Sequence, residues 1–459
     1  MSLLPLPSAV HAPGSYRFRS SLGQHLLVVP HSQIYDLPEQ ETDVDADVNA
    51  DVNTEADVNL DHVLSQMLAR TLNNEASLDA LSLPTVQSLS LNVSSSCNLG
   101  CSYCYASQGN FEGKQSKGMD WEQARGSIDR LLAEADPQAP LTLGFIGGEP
   151  FVNRALIHQC VHYSAALARE QRLDLRYSVT TNGTLLRPED HELLRRHRFA
   201  VTVSIDGGSV VQNRQRPMLN GKRDSFAAVI EHCQPLLDTP GMCKLAARAT
   251  ANSLSLDLDQ QFDAIAALGF QDIGFSPLRS GSALALQDQD WPVYEQAMVS
   301  LASRELQGAL QGQQIRLSNF ATALKQLHVG ASSPYPCGAG GGYFSVASDG
   351  DWYACHRAIG NQDYKLGDRH ALDAPKRLQF LQERHVHAQT DCQACWARYL
   401  CSGGCHQEKA SRSGASCDYI RHWLTFCLQS YCELSQARPD YFTHCLPSPR
   451  ASVSAQSGT

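Results

Sequence analysis

Asn92-Val-Ser-Ser-Ser-Cys97-Asn-Leu-Gly-Cys101-Ser-Tyr-Cys104-Tyr-Ala106 is the stretch on which the reading of this chain turns. It sets three thiols in C-x3-C-x2-C spacing. Thiolate is a soft ligand suited to iron–sulfur clusters, and a [4Fe-4S] cluster normally takes four, so a local set of three leaves one iron without a protein ligand. The same spacing is unusual for zinc. Thr85 to Val93 reads as an apolar strand, and Gly100 allows the loop after it to fold tightly enough for the sulfurs to converge. The three thiols are therefore expected on a loop at a strand's C-terminal end.

Outward from that loop the chain alternates strand and helix. Predicted elements are Val86 to Val93, Asp120 to Ala135, Thr142 to Ile146, Ala155 to Arg169, Leu175 to Thr180, Glu189 to Arg196, Ala200 to Ile205, Ser225 to Leu237, Lys244 to Ala249, Asp257 to Leu268 and Ile273 to Phe275. Such alternation implies parallel strands with crossover helices, hence an α/β fold, a partial (β/α)6 barrel with its site at the strand C-termini. Polar motifs fall at those ends: Gly147-Gly148-Glu149-Pro150, Thr181-Asn182-Gly183, Ser204-Ile205-Asp206-Gly207, and Arg248 within the fifth strand.

The cysteine stretch, with Tyr103 before its last thiol, resembles the signature of the radical S-adenosylmethionine (SAM) enzymes, and the later motifs agree with it. In that superfamily the vacant iron binds SAM, which one electron cleaves to a 5′-deoxyadenosyl radical. The resemblance makes Cys97, Cys101 and Cys104 catalytic. It gives SAM binding to Gly147, Gly148, Glu149 and Pro150, with Glu149 on the ammonium. Thr181, Asn182, Ser204 and Asp206 suit the ribose, and Arg248 pairs with the carboxylate through a fork that fits it. Arg216 matches an arginine that follows His-Asp in relatives, but Gln212-Asn213 replaces that pair here and leaves its role open.

From Cys337 onward the cysteines resemble the twin-cluster SPASM extension of this superfamily. By that resemblance Cys337, Cys355 and Cys405 serve one auxiliary cluster. Cys392, Cys395 and Cys401 serve the other, closed by Cys417, with Cys427 as the alternative. The implied cofactors are three [4Fe-4S] clusters and S-adenosyl-L-methionine. Pro336 to Gly340, Tyr353 to His356 and Cys395 to His406 look most like thioether-forming, quinohemoprotein amine dehydrogenase-type peptide maturases. The implied partners are a precursor peptide or protein and a reductant such as a flavodoxin or ferredoxin. Two rivals are anaerobic sulfatase-maturase-like oxidation of Ser or Cys, in which an Asp stands where this chain has His356, and a noncatalytic iron–sulfur electron carrier. No thiol follows Cys337 in the run Gly338 to Phe344, so an open iron there is expected to take a substrate thiolate.

Composition bounds the rest. The chain has 459 residues, 42% of them apolar, a net charge of −10 and sixteen cysteines. No apolar run approaches a membrane span, no basic and hydrophobic signal opens the chain, and clustered cysteines point to metal ligation in a reducing compartment, so a cytoplasmic protein without membrane or nucleic-acid partners is expected. The expected divisions are a strand-rich segment at 1–38 and a disordered acidic linker at 39–60, where an Ala-Asp-Val-Asn unit repeats. Asp61 to Leu72 reads as a short helix. The barrel follows at 84–280, a helical bridge at 281–330, the cluster domain at 331–436 and a disordered tail at 437–459. The first segment reads as a hairpin that either holds a precursor leader by strand addition or packs on the barrel. Cys160, Cys233 and Cys243 read as core cysteines, and Cys432 and Cys445 have no assignment.

Overall fold

A computed structural model describes residues 14–37, 81–107, 118–443 apart from 222, 240 and 242, and 450–452. The linker at 39–60, the helix expected from Asp61, and Cys445 lie outside the described residues.

Six strands, β4 (Ser88–Ser94), β5 (Leu141–Gly147), β6 (Leu175–Thr181), β7 (Ala200–Ser204), β8 (Lys244–Ala251) and β9 (Ile273–Pro277), lie side by side in chain order and all pair in parallel. Their apolar residues, such as Leu89, Leu91 and Val93 of β4 and Leu143 and Phe145 of β5, are fully buried, as strands covered by crossover helices require. Three of those helices start on an aspartate whose carboxylate accepts from a first-turn N–H: Asp120 from Gln123 at 2.8 Å, Asp224 from Ala227 at 2.8 Å and Asp257 from Gln260 at 3.2 Å. Each carboxylate satisfies a donor that the helix cannot, which fixes where it begins.

The sheet does not stop at the barrel. β10 (Tyr343–Val346) pairs in parallel with β4, matching Tyr343 to Ser88 and Val346 to Leu91, and β11 (Asp351–Tyr353) and β12 (Lys365–Asp368) continue antiparallel beyond it. The cysteine-rich part thus shares one nine-stranded sheet with the barrel. Burying the edge of β4 in this way satisfies its backbone groups. On the opposite edge, Asn319 takes the place of a strand: its amide accepts from Phe275 N–H and donates to Phe275 C=O, both at 2.9 Å.

The bridge at 281–330 forms two helices, Trp291–Leu310 and Ser318–His328, which pack on the long helix Gly414–Ala437. β1 (Ser15–Ser20) and β2 (Gly23–Val28) form the expected hairpin, joined by β3 (Gln33–Asp36). It packs on the helix Gly414–Ala437. Its apolar face, Tyr16, Phe18 and Val29, belongs to the same core as Trp423 and Phe426 of that helix. At the other end, the expected tail begins with the turn Pro439–Phe442, whose Phe442 is buried against His328. Among the described residues no helix is long and apolar enough to cross a membrane.

Candidate active site

The loop after β4 carries Cys97, Cys101 and Cys104 to one wall of a cavity of about 310 Å³ at the strand C-termini. Two glycines of the next loop place it there. A Cβ on Gly147 would lie 2.4 Å from Ser94 O, and one on Gly148 would lie 2.4 Å from Ser96 O. Without side chains, the two loops join through Gly148 N–H to Ser94 O at 2.8 Å and Glu149 N–H to Ser96 O at 2.9 Å. The first use of these two glycines is room for the cysteine loop, and both also line the cavity.

Glu149, expected on the SAM ammonium, does not line the cavity. Its side chain is fully buried and absent from the cavity wall. Its oxygens accept from Thr181 Oγ1 at 2.7 Å, Asn182 N–H at 2.7 Å and Phe151 N–H at 3.1 Å. Burial pushes its carboxyl up to about 7 while these donors oppose the rise. Pro150, also buried, opens the short turn after it. Asn182 passes the linkage on: its Nδ2 donates to Asn98 Oδ1 at 2.8 Å and approaches Cys97 Sγ at 3.8 Å. Glu149 thus anchors the cysteine loop from beneath.

Asp206, expected at the ribose, does not line the cavity either. Fully buried, it is gripped by Arg216, Nε to Oδ2 at 3.0 Å and Nη2 to Oδ1 at 3.1 Å, and it accepts from Tyr103 O–H and from Thr250 N–H at 2.9 Å. Arg216 lies over the Tyr103 ring, lines the cavity and borders Cys101, whose thiol it draws down against the larger upward effect of burial. The residue left without a role in the sequence is therefore a cation at the cysteine loop, and no local spacing signals its pairing with Asp206. Ser204 and Arg248 line the same cavity. Arg248 Nη1 pairs with Asp272 at 2.7 Å.

Two further thiol groups form in the C-terminal part. Cys392, Cys395, Cys401 and Cys417 share a cavity of about 100 Å³ with Cys405, and Arg412 Nη1 lies 3.3 Å from Cys392 Sγ. Cys427 is fully buried within the helix Gly414–Ala437 and lines no part of that cavity, so Cys417 is the thiol that joins the group. Cys337, Cys355 and Cys405 lie close enough that the charge of Cys405 raises both of the others, after burial. Six residues after Cys337 stands Tyr343, whose hydroxyl meets His356 Nδ1 at 3.1 Å. Cys160 and Cys233 are fully buried and Cys243 is half-buried, as expected of core positions; Cys432 joins them in the core.

These donors fit iron–sulfur clusters. Burial pushes the Cys97 thiol up to about 12 and those of Cys355 and Cys401 to about 11, so a positive guest is needed to hold them as thiolates. Among the described residues no three His, Cys, Asp or Glu side chains are grouped for a single metal ion.

The radical SAM superfamily pattern matches residues 91–246. The serine-type anaerobic sulfatase-maturating enzyme of Klebsiella aerogenes is 28% identical over 333 residues, covering 68% of this chain and 78% of its own. The cysteine-type anaerobic sulfatase-maturating enzyme of Clostridium perfringens is 25% identical over 370 residues, covering 76% and 95%. The solved structure of anSMEcpe with bound AdoMet superimposes with a TM-score of 0.64 over 76% of this chain and 99% of that one, at 20% identity, and so shares the fold. With the cysteine loop, the six parallel strands and the cavity at their C-termini, these similarities mark residues 91–246 as a radical SAM domain and the chain as an enzyme that resembles the maturases of that superfamily.

Proposed function

We propose that this enzyme is a maturase that oxidatively modifies a peptide or protein, installing a thioether or another crosslink. One observation carries the reading. Arg357 and Glu408, from the cysteine-rich part, line the same cavity as Cys97, Cys101 and Cys104, so a substrate there lies between the first cysteine loop and the auxiliary thiols. Cys97, Cys101 and Cys104 would hold the radical-generating [4Fe-4S] cluster. Cys337, Cys355 and Cys405 would hold a second, and Cys392, Cys395, Cys401 and Cys417 a third. When bound, the first cluster and SAM supply a 5′-deoxyadenosyl radical able to take a substrate hydrogen.

The chain's own residues do the rest. Gly148, Arg248 and the polar strand ends orient SAM, while Glu149 and Asn182 keep the cysteine loop in place. Cys337 sits with Gly338, Gly341 and Gly342 on a cavity of about 560 Å³, where bare backbone leaves room for a peptide to bring a thiol to the open position of that set. His356 is pushed down to about 4, first by burial and then by Arg357, so it is neutral at physiological pH. A flavodoxin- or ferredoxin-type reductant supplies the electron.

The test is anaerobic incubation of reconstituted enzyme with SAM, dithionite and short cysteine-containing peptides encoded near it, followed by mass spectrometry. A product two hydrogens lighter that no longer reacts with iodoacetamide supports a thioether. The second reading, oxidation of a single Ser or Cys side chain, is favoured by the two sulfatase-maturating relatives and predicts an aldehyde that hydrazides capture. SAM cleavage without modification of any peptide would remove both.

A further inference from the structure

Tyr16, far from the cavity in sequence and space, touches the framework of the second auxiliary cysteine set at several points. Its ring stacks on Trp396, with centroids 3.9 Å apart and planes within 4°, and Trp396 directly follows Cys395. Its hydroxyl meets Thr425 Oγ1 at 2.9 Å, and Thr425 in turn donates to Arg421 C=O at 2.9 Å, the residue whose guanidinium reaches Cys395. Thr425 lies two turns along the helix that carries Cys417. The same helix is tied to β1 through Gln429 Nε2 to Arg19 C=O at 2.8 Å and Ser21 Oγ to Glu433 at 2.6 Å. The turn Val29–His31 packs on the short helix Arg398–Cys401, which ends on a third ligand.

The sheet that makes these contacts is itself pinned across three of its four strands. Ser20 of β1 meets His25 Nε2 at 2.7 Å, and His25 Nδ1 meets Asp36 of β3 at 2.9 Å, with His25 of β2 only 1% exposed. Ser, His and Asp in this order resemble a hydrolytic relay, but His25 lines none of the cavities described above. The relay instead ties these strands together, since each of the three contributes one partner to a part-buried polar chain.

We propose that the N-terminal sheet is a fixed brace for the second auxiliary cysteine set, with Tyr16 as the positioning residue that holds Cys395, Cys401 and Cys417 within reach of one another. This rests on the reading of that set as a cluster site. A set of four thiolates converges only if the loop of Cys395, the short helix of Cys401 and the long helix of Cys417 keep their mutual positions, and Tyr16 contacts the first and the last directly.

The test uses the full-length chain, reconstituted anaerobically, with iron and sulfide counted and SAM cleavage followed without peptide. Wild type should hold about twelve irons. Tyr16→Ala should hold about eight and still cleave SAM at the wild-type rate, whereas Tyr16→Phe, which keeps the stacked ring, should stay near twelve. Tyr16→Ala with about twelve irons would overturn the brace. So would parallel loss of all iron in Tyr16→Ala and the milder Tyr16→Leu, since that describes general unfolding. If wild type itself holds about eight, the cluster reading fails first and the brace with it.

Discussion

Glu149 and Thr181 are joined by a 2.7 Å hydrogen bond from Thr181 Oγ1 to a fully buried carboxylate oxygen. The bond ties the loop after β5 to the end of β6 directly beneath the cysteine loop. A carboxylate expected to meet a ligand is instead part of the floor beneath the cysteine loop.

That burial has a pH signature. The carboxyl is raised from 4.5 to about 7 in the fold, so its stabilising contribution is full below about 4.5 and is lost as pH rises through about 7. Wild type should therefore lose about 3 kcal/mol relative to Glu149→Gln between those limits. Denaturant midpoints of the two apo proteins at pH 4.5, 6 and 8 check it; parallel curves would show that the carboxyl does not titrate in this window.

Asp206 and Arg216 form a buried pair, 0% and 10% exposed at their side chains. Removing one partner leaves the other charged and unpaired, so Arg216→Ala should cost about 3–5 kcal/mol. The double change Asp206→Asn with Arg216→Gln should cost less than Arg216→Ala alone. Thermal denaturation of the three variants decides it, and a single-variant loss below about 1 kcal/mol would contradict the pairing.

Cys417 and Cys427 lie in one helix but in different surroundings. Cys417→Ala should remove about four irons with little loss of apo stability. Cys427→Ala should keep them and cost about 1–2 kcal/mol from the cavity left in the core. Iron analysis beside urea denaturation separates the two, and the reverse pattern would reassign the ligand.

Arg248 lines the cavity while half-exposed and paired with Asp272. An exposed pair contributes at most about 1 kcal/mol, so Arg248→Gln should barely change stability. If the guanidinium turns to the SAM carboxylate, affinity for SAM should fall at least about tenfold. Equilibrium binding of SAM to the reconstituted variant measures this; unchanged affinity would leave Arg248 to Asp272 alone.

The chain's residues by themselves determined the cysteine spacings and the alternation of strand and helix, because those depend on local properties: thiol count per loop, two- and 3.6-residue periodicity, and aspartates that cap helices. The six parallel strands and the helical bridge came out close to their sequence boundaries for that reason. Only the tertiary structure decided which way Glu149 and Asp206 face, since that depends on donors from Thr181, Asn182, Arg216 and Tyr103, brought within about 3 Å by other strands. It also decided that Arg216 belongs at the site, that β10 continues the barrel's sheet, and that the N-terminal strands rest on Trp396 and Thr425. An edge strand's partner and an aromatic ring's neighbour are set by burial across hundreds of residues of chain, a quantity that no window of sequence contains.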